Sequence, residues 1–263
     1  MNTVALMSNP LPTLFLSHGA PDVVLRETAA RTFLSGLAES LPRPRAIVVI
    51  SAHWEEASPT VESGKTPHTI HDFGGFPQAM YQLKYPALGD VALAQHITSL
   101  MSSAGFSPRM QDRGFDHGVW TPLLLAWPAA DIPVVPISLV HQGDGILHHR
   151  LGAALAPLRH DGVLVIGSGS AVHNLRELAP GRAPAPWAIA FDDWLVAQCE
   201  AGDVDALTHW QQRAPDARRA HPTAEHFTPL LVALGAAGDG ARGGILHRSW
   251  DYGNLAMTAV AFT

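Results

Sequence analysis

Five histidines stand where an imidazole could hold a metal ion or move a proton: His18, His53, His117, His173 and His226. His18 lies in Ser17-His18-Gly19-Ala20-Pro21, directly after the apolar run of residues 13–16. His53 lies in Ser51-Ala52-His53-Trp54, after the run of residues 46–50. His173 follows residues 163–166 through Gly167-Ser168-Gly169-Ser170-Ala171-Val172. These short runs, rich in branched side chains, read as buried strands. Three strands thus deliver a histidine at or just past their carboxyl ends, the edge at which open α/β sheets bind ligands. Neutral imidazole is the commonest protein ligand for zinc and also suits iron. Three protein ligands with open positions define a catalytic metal site, whereas a closed set of four defines a structural one.

Two further histidines come from segments between strands. His117 lies in Phe115-Asp116-His117-Gly118-Val119-Trp120, ahead of a helical pattern, with Asp116 available to orient the imidazole. His226 closes His221-Pro222-Thr223-Ala224-Glu225-His226, just before Thr228-Pro229, a helix-start pair. For His18 and His53 the ligand assignment is favoured; for His173 and His226 the residues alone leave ligand and structural roles open. The other ten of the 15 histidines fit surface or structural roles. Gly167-Ser168-Gly169-Ser170 lacks the lysine of a phosphate-binding loop and the glycine spacing of a dinucleotide fold, so a tight turn close to a bound ligand is expected there. No G-x-S-x-G elbow of a serine hydrolase is present. The aromatics of Asp72-Phe73-Gly74-Gly75-Phe76-Pro77 suit either a surface loop or a flexible wall over an aromatic substrate.

The elements that must position these residues alternate. Besides the three strands already named, residues 132–139 form a fourth apolar run. Helical periodicity fills residues 28–41, 91–101, 146–158 and 187–201. The pattern predicts an α/β fold with a mostly parallel central sheet flanked by helices on both faces. Residues 243–247 and 255–262, around Asp251-Tyr252-Gly253-Asn254, predict a C-terminal antiparallel strand pair at one edge. Without a repeat or a convincing linker, residues 1–263 are expected to form one catalytic domain.

The formal charge of −6, with no run of Lys or Arg, gives no support to nucleic-acid binding or a polybasic membrane patch. No apolar window is long enough to span a bilayer, and Met1-Asn2-Thr3-Val4-Ala5 lacks the features of a secretory signal. Cys199 is the only cysteine, which excludes an internal disulfide and a thiolate cluster; it reads as a small buried hydrophobe. A cytoplasmic location is expected.

At these residues the chain resembles the class III extradiol ring-cleavage dioxygenases, and more closely their DOPA 4,5-dioxygenase-like branch. The matching motifs are Leu16-Ser17-His18-Gly19, Ser51-Ala52-His53-Trp54, Ile70-His71-Asp72-Phe73-Gly74-Gly75-Phe76-Pro77, Gly114-Phe115-Asp116-His117-Gly118, Gly169-Ser170-Ala171-Val172-His173-Asn174-Leu175 and Pro222-Thr223-Ala224-Glu225-His226. The resemblance implies that His18, His53 and His226 hold the metal. His173 lies beside it as a fourth ligand or as the acid/base group, and His117 contacts the substrate and is the second choice of acid/base. Trp54, Phe73 and Phe76 are expected to line the substrate site. Other members of the class use two histidines and a glutamate, which leaves Glu225 as an alternative to His226. Fe(II) is expected for activity, and Zn(II) can occupy the same site as isolated. The partners implied are a small aromatic diol and O2. The alternatives are a zinc-dependent hydrolase of amidase or peptidase type using the same histidines, and a non-catalytic metal-binding protein.

Overall fold

Ile47 and Val49 join one apolar layer while Ala46, Val48 and Ile50, from the same strand, join another, and all five are fully buried. A strand buried on both faces requires covering layers on both sides of its sheet. Each of the valine and isoleucine side chains contributes roughly 1.5–3 kcal/mol relative to exposure. The computed structural model describes residues 10–263; the N-terminal pentapeptide considered above lies outside the described residues.

The principal sheet has eight strands: β1 (Thr13–Ser17), β2 (Ala46–Glu56), β3 (Thr60–Glu62), β4 (Arg109–Gln111), β5 (Val134–Val140), β6 (Val163–Gly169), β7 (Gly243–His247) and β10 (Ala259–Phe262). Their order is β4-β3-β5-β2-β6-β1-β10-β7. The four central strands, β5, β2, β6 and β1, are mutually parallel. At one edge β10 and β7 add antiparallel pairings, as the C-terminal pattern predicted. At the other edge β3 runs against β5 and carries β4 parallel to itself; strands this short gave no periodicity to detect.

Helices cover both faces. Helix α1 (Ala29–Gly36) and helix α3 (His117–Ala126) pack on the layer that holds Leu14, Leu16, Ile47 and Val49. The opposite face is covered by α2 (Val91–Ser103), α4 (Gly145–Leu155), α5 (Pro186–Ala201) and α9 (Thr228–Ala237). Three short helices, α6 (Val204–Thr208), α7 (Trp210–Arg213) and α8 (Ala217–Ala220), lead from α5 towards α9. No described helix is long and apolar enough to cross a membrane.

One expectation is refined and one corrected. Residues 251–254 do turn the chain between β7 and β10, as expected, but β7 and β10 do not run directly into that turn. Those residues close a separate hairpin of β8 (Trp250–Asp251) and β9 (Leu255–Ala256), whose three-residue loop reverses through left-handed conformations at Tyr252 (φ 48°) and Gly253 (φ 80°). Strand β2 does not stop at residue 50. It continues through His53 to Glu56, with its register against β5 broken between Ile50 and Glu55.

Candidate metal centre

Strand register brings the first two histidines together. Ser51 on β2 lies opposite Ser168 on β6, and Ser168 lies opposite Leu16 on β1. His53 and His18 are therefore each two residues beyond one rung of the sheet. A two-residue step keeps a side chain on the same face. Strand β6, between them, ends at Gly169 and leaves room for the two rings to meet. His18 Nε2 lies 3.0 Å from His53 Nε2.

His117 approaches from the same face at the first turn of α3, its ring centroid 3.9 Å from that of His53 and 5.3 Å from that of His18. Asp116 does not orient it, contrary to expectation. As the N-cap of α3, Asp116 accepts from the backbone N–H of Val119, and its carboxylate also takes Ser51 Oγ at 2.6 Å and Arg113 at 2.7 Å. The orienting carboxylate is Asp72. Its Oδ1 lies 3.0 Å from His117 Nδ1 and accepts the His117 backbone N–H at 3.0 Å.

His226 and His173 arrive over the sheet edge from the side of α9. The glycines of β6 allow this approach: a Cβ at Gly169 would stand 2.1 Å from the carbonyl oxygen of His226, and one at Gly167 2.1 Å from that of Pro229. The expectation of a tight turn near a bound ligand is thereby corrected; the backbone that comes close belongs to the start of α9. Ser170 N–H donates to His226 O at 2.9 Å and fixes the segment. His226 then sits 4.9 Å from His53 and 5.5 Å from His18, ring centroid to ring centroid. His173, four residues past the end of β6, is held by a backbone hydrogen bond from its N–H to Ala220 O and by the bridge of Val172 to Ala256.

Hydrogen bonding fixes which nitrogen of two rings carries a lone pair. Ser168 Oγ donates to Gly118 O at 2.5 Å, so at its 3.0 Å contact with His18 it must accept from Nδ1–H. Glu225 Oε1, 2.9 Å from His226 Nδ1, can likewise only accept when ionised. In both rings Nε2 is left with its lone pair. Backing of one imidazole nitrogen by an oxygen, with the other left free, is the arrangement that metal-ligating histidines adopt. Burial, followed by the proximity of the other imidazoles, lowers the pKa of His18 and of His226 well below the ordinary value. Burial and the nearby His117 bring His53 to about 3, and burial brings His173 to about 4. Neutral imidazole is the form that binds a cation. The donor set therefore fits a divalent metal held by nitrogen. The same short-range clustering joins His18, His53 and His117 on one side and His173, Glu225 and His226 on the other.

These imidazoles wall a cavity of about 550 Å³. Phe73 and Phe76 line it, edge-to-face with centroids 5.4 Å apart. Trp54, expected as a substrate contact, does not line it. One step along β2 from His53, it turns to the opposite face, where its Nε1 donates to Glu56 at 3.1 Å and Arg113 covers its ring. Glu225 also lies outside this cavity and borders a separate depression with His148. Asp72, Ser170, Leu175, Leu178, Tyr252 and Leu255 are lining residues to which the sequence assigned no role in the site. Asp72 stood within a quoted motif, but nothing in the spacing linked it to His117, 45 residues away.

A cluster of neutral imidazoles in a mainly apolar cavity, at the carboxyl edge of a parallel sheet, defines a metal-dependent α/β enzyme for a small substrate. Known proteins agree. Residues 12–263 match the family described as the catalytic LigB subunit of aromatic ring-opening dioxygenase. The chain is 43% identical over 257 residues to a 4,5-DOPA dioxygenase extradiol of Beta vulgaris, covering 95% of this chain and 96% of the relative. It is 40% identical over 238 residues to a 4,5-DOPA dioxygenase extradiol of Escherichia coli (strain K12), covering 89% and 88%. The crystal structure of an uncharacterised protein from Escherichia coli K12 matches with a TM-score of 0.79 at 32% identity, covering 95% of this chain and 99% of that one. The chain belongs to the class III extradiol ring-cleavage dioxygenases, in their DOPA dioxygenase-like branch. Its activity is extradiol cleavage of catechol-type rings, an oxidoreductase reaction that uses O2. These relatives lend no support to the hydrolase or the non-catalytic reading.

Proposed function

We propose that the chain acts as one cytoplasmic catalytic domain that uses Fe(II), held by His18, His53 and His226, to open a substituted catechol to a semialdehyde acid. The observation that carries this assignment is the pair of Nε2 lone pairs on His18 and His226, each fixed by an oxygen behind its ring. The position of Glu225 favours His226 as the ligand, since the carboxylate is occupied at His226 Nδ1 and faces away from the cavity. A cytoplasmic location fits the single buried thiol of Cys199, which has no cysteine partner with which to form a disulfide.

Iron in this site would supply a Lewis acid for the two phenolic oxygens and a path for electrons from the ring to O2. The remaining chemistry falls to side chains. His173, neutral because burial holds it at about 4, offers a ring nitrogen to a phenolic proton and can return that proton later. His117, backed by Asp72, presents its other edge to the cavity and contacts the substrate. Phe73 and Phe76 pack against the aromatic ring, and the apolar wall they extend keeps water from the reacting oxygens.

The test is anaerobic reconstitution of metal-free protein with Fe(II) or Zn(II), followed by a catechol panel and air. Only the iron form should consume O2 and yield a coloured semialdehyde in equal amounts. Ring opening by neither form, or by both equally, would overturn the assignment.

A further inference from the structure

The bulge that carries His53 is held by side chains rather than by the sheet. The register of β2 against β5 breaks between Ile50 and Glu55, and its pairing with β6 ends at Ser51. His53 thus has no register partner on either neighbouring strand. Its backbone groups are met from elsewhere: Ser51 Oγ accepts the His53 N–H at 3.2 Å, and Arg113 Nη2 donates to His53 O at 3.0 Å. Both supports converge on one carboxylate. Ser51 Oγ donates to Asp116 Oδ1 at 2.6 Å and Arg113 Nη1 donates to Asp116 Oδ2 at 2.7 Å, with Asp116 fully buried.

The same carboxylate caps α3, whose first residue is His117. The first turn of α3 packs directly on the bulge: a Cβ at Gly118 would stand 2.5 Å from Ser51 Oγ and 3.0 Å from His53 Cδ2. Arg113 is itself anchored. Its backbone N–H donates to the buried Glu62 at 2.9 Å, and the Gly114 N–H donates to the same oxygen at 2.6 Å. From that base the guanidinium spans His53 on β2 and the start of α3, and it lies 4.9 Å from the Trp54 ring centroid. A planar guanidinium fork holds two acceptors at a set separation, whereas the ammonium of lysine is a point charge without that geometry.

Resting on the proposal that His53 is a metal ligand, we infer that Arg113, locked to Asp116, is the positioning residue that sets His53 against His117. Arg113 lies outside the cavity lining and acts through the two histidines. One grip fixes the carbonyl of the ligand and the helix start of the histidine that contacts substrate, and so fixes the 3.9 Å between their ring centroids. Catalysis needs such spacing held closely, since a misplacement of about 1 Å can cost on the order of a hundredfold in rate.

The test titrates Co(II), whose visible absorption reports coordination geometry, into metal-free wild type, Arg113→Lys, Arg113→Met and His53→Ala. Lysine keeps a cation beside Asp116, so the urea midpoint of Arg113→Lys should stay near that of wild type; Arg113→Met strands a buried charge and should lower it. The Co(II) spectrum of Arg113→Lys should nonetheless shift, and its Co(II) affinity should fall about 10–100-fold. With iron loaded, its kcat for catechol should fall by about the same factor while KM stays within about threefold of wild type. Should Arg113→Met fail to fold, combining it with Asp116→Asn removes the unpaired charge and should give the same spectral shift. A purely structural ion pair predicts otherwise: cobalt spectrum, affinity and kcat would follow the urea midpoint, and Arg113→Lys would restore all three. That result overturns the inference, and loss of Co(II) binding in His53→Ala would then leave the ligand assignment standing. If His53→Ala binds Co(II) with the wild-type spectrum, His53 is not a ligand and both readings fall.

Discussion

The imidazole of His173 lies flat on that of His226, with ring centroids 3.4 Å apart and planes 9° from parallel. His226 is fixed from behind by Glu225, and His173 by the backbone hydrogen bond to Ala220. The two rings are therefore held by separate supports, and the stack couples the proposed ligand His226 to its neighbour without requiring both to bind a metal.

Substitution of His173 with Phe separates those roles. The variant keeps a planar ring on His226 but removes both nitrogens. It should retain one metal per chain, read by elemental analysis, while turnover falls by roughly two to four orders of magnitude, the usual scale of acid/base assistance. Loss of metal together with activity would make His173 a ligand and pass the proton-transfer role to His117.

Ser168→Ala removes the acceptor for His18 Nδ1–H and leaves Gly118 O without its donor. The imidazole then loses both its tautomer preference and its anchor. Metal affinity should drop by roughly 10–100-fold, the typical cost of losing such a support. Competition against a chelator of known affinity measures it; an affinity within a factor of about two of the wild type would show that packing alone positions His18.

Much of this site was legible because strands announce themselves. The runs ahead of His18 and His53 are continuous and apolar, so their carboxyl ends, and the residues just beyond, could be placed in advance. What the pattern could not convey was direction across the sheet. Trp54 was expected to line the substrate site, yet one step along a strand from His53 places it on the opposite face once β2 continues past residue 50. The apolar periodicity ended at Ile50 while the hydrogen-bonded strand did not. The roles of Asp72 and Ser168 went unread for a different reason. Their roles are single contacts to rings 45 and 150 residues away, and contacts of that kind leave no periodic trace.

Asp72 should act through His117. Burial tends to raise its carboxyl pKa, but hydrogen bonds and charge from His117 outweigh that and hold it at about 2, against an ordinary 3.8. A folded-state value below the unfolded one adds stability that is present above about pH 4 and is lost as pH falls towards 2. In metal-free protein, the stability gap between wild type and Asp72→Asn should shrink as pH falls from about 4 towards 2, as followed by urea unfolding. In the iron-loaded enzyme the same variant should lose about 10–100-fold in kcat with metal retained. A stability gap that persists unchanged at about pH 2 would mean that the carboxylate's charge is not what stabilises the contact.

Gly169 tests whether the approach of His226 depends on a missing side chain. A Cβ there would meet His226 O at 2.1 Å, its carbonyl carbon at 3.1 Å and Phe15 at 3.3 Å. Two of these atoms are backbone, so relief cannot come from a rotamer change; the segment bearing His226 must move away from β6. The hydrogen bond from Ser170 N–H to His226 O, at 2.9 Å, would stretch with it. Gly169→Ala should therefore destabilise the fold by about 1–3 kcal/mol, as overpacking does, and should weaken metal binding in parallel. Gly36→Ala is the matched control. Gly36 ends α1 with no atom within 4 Å of its would-be Cβ, so the change should be neutral or slightly stabilising and leave metal content intact. The two midpoints in urea, read beside metal stoichiometry, give the comparison. Should Gly169→Ala match Gly36→Ala in both, the close packing of β6 against the start of α9 is not what delivers His226 to the metal.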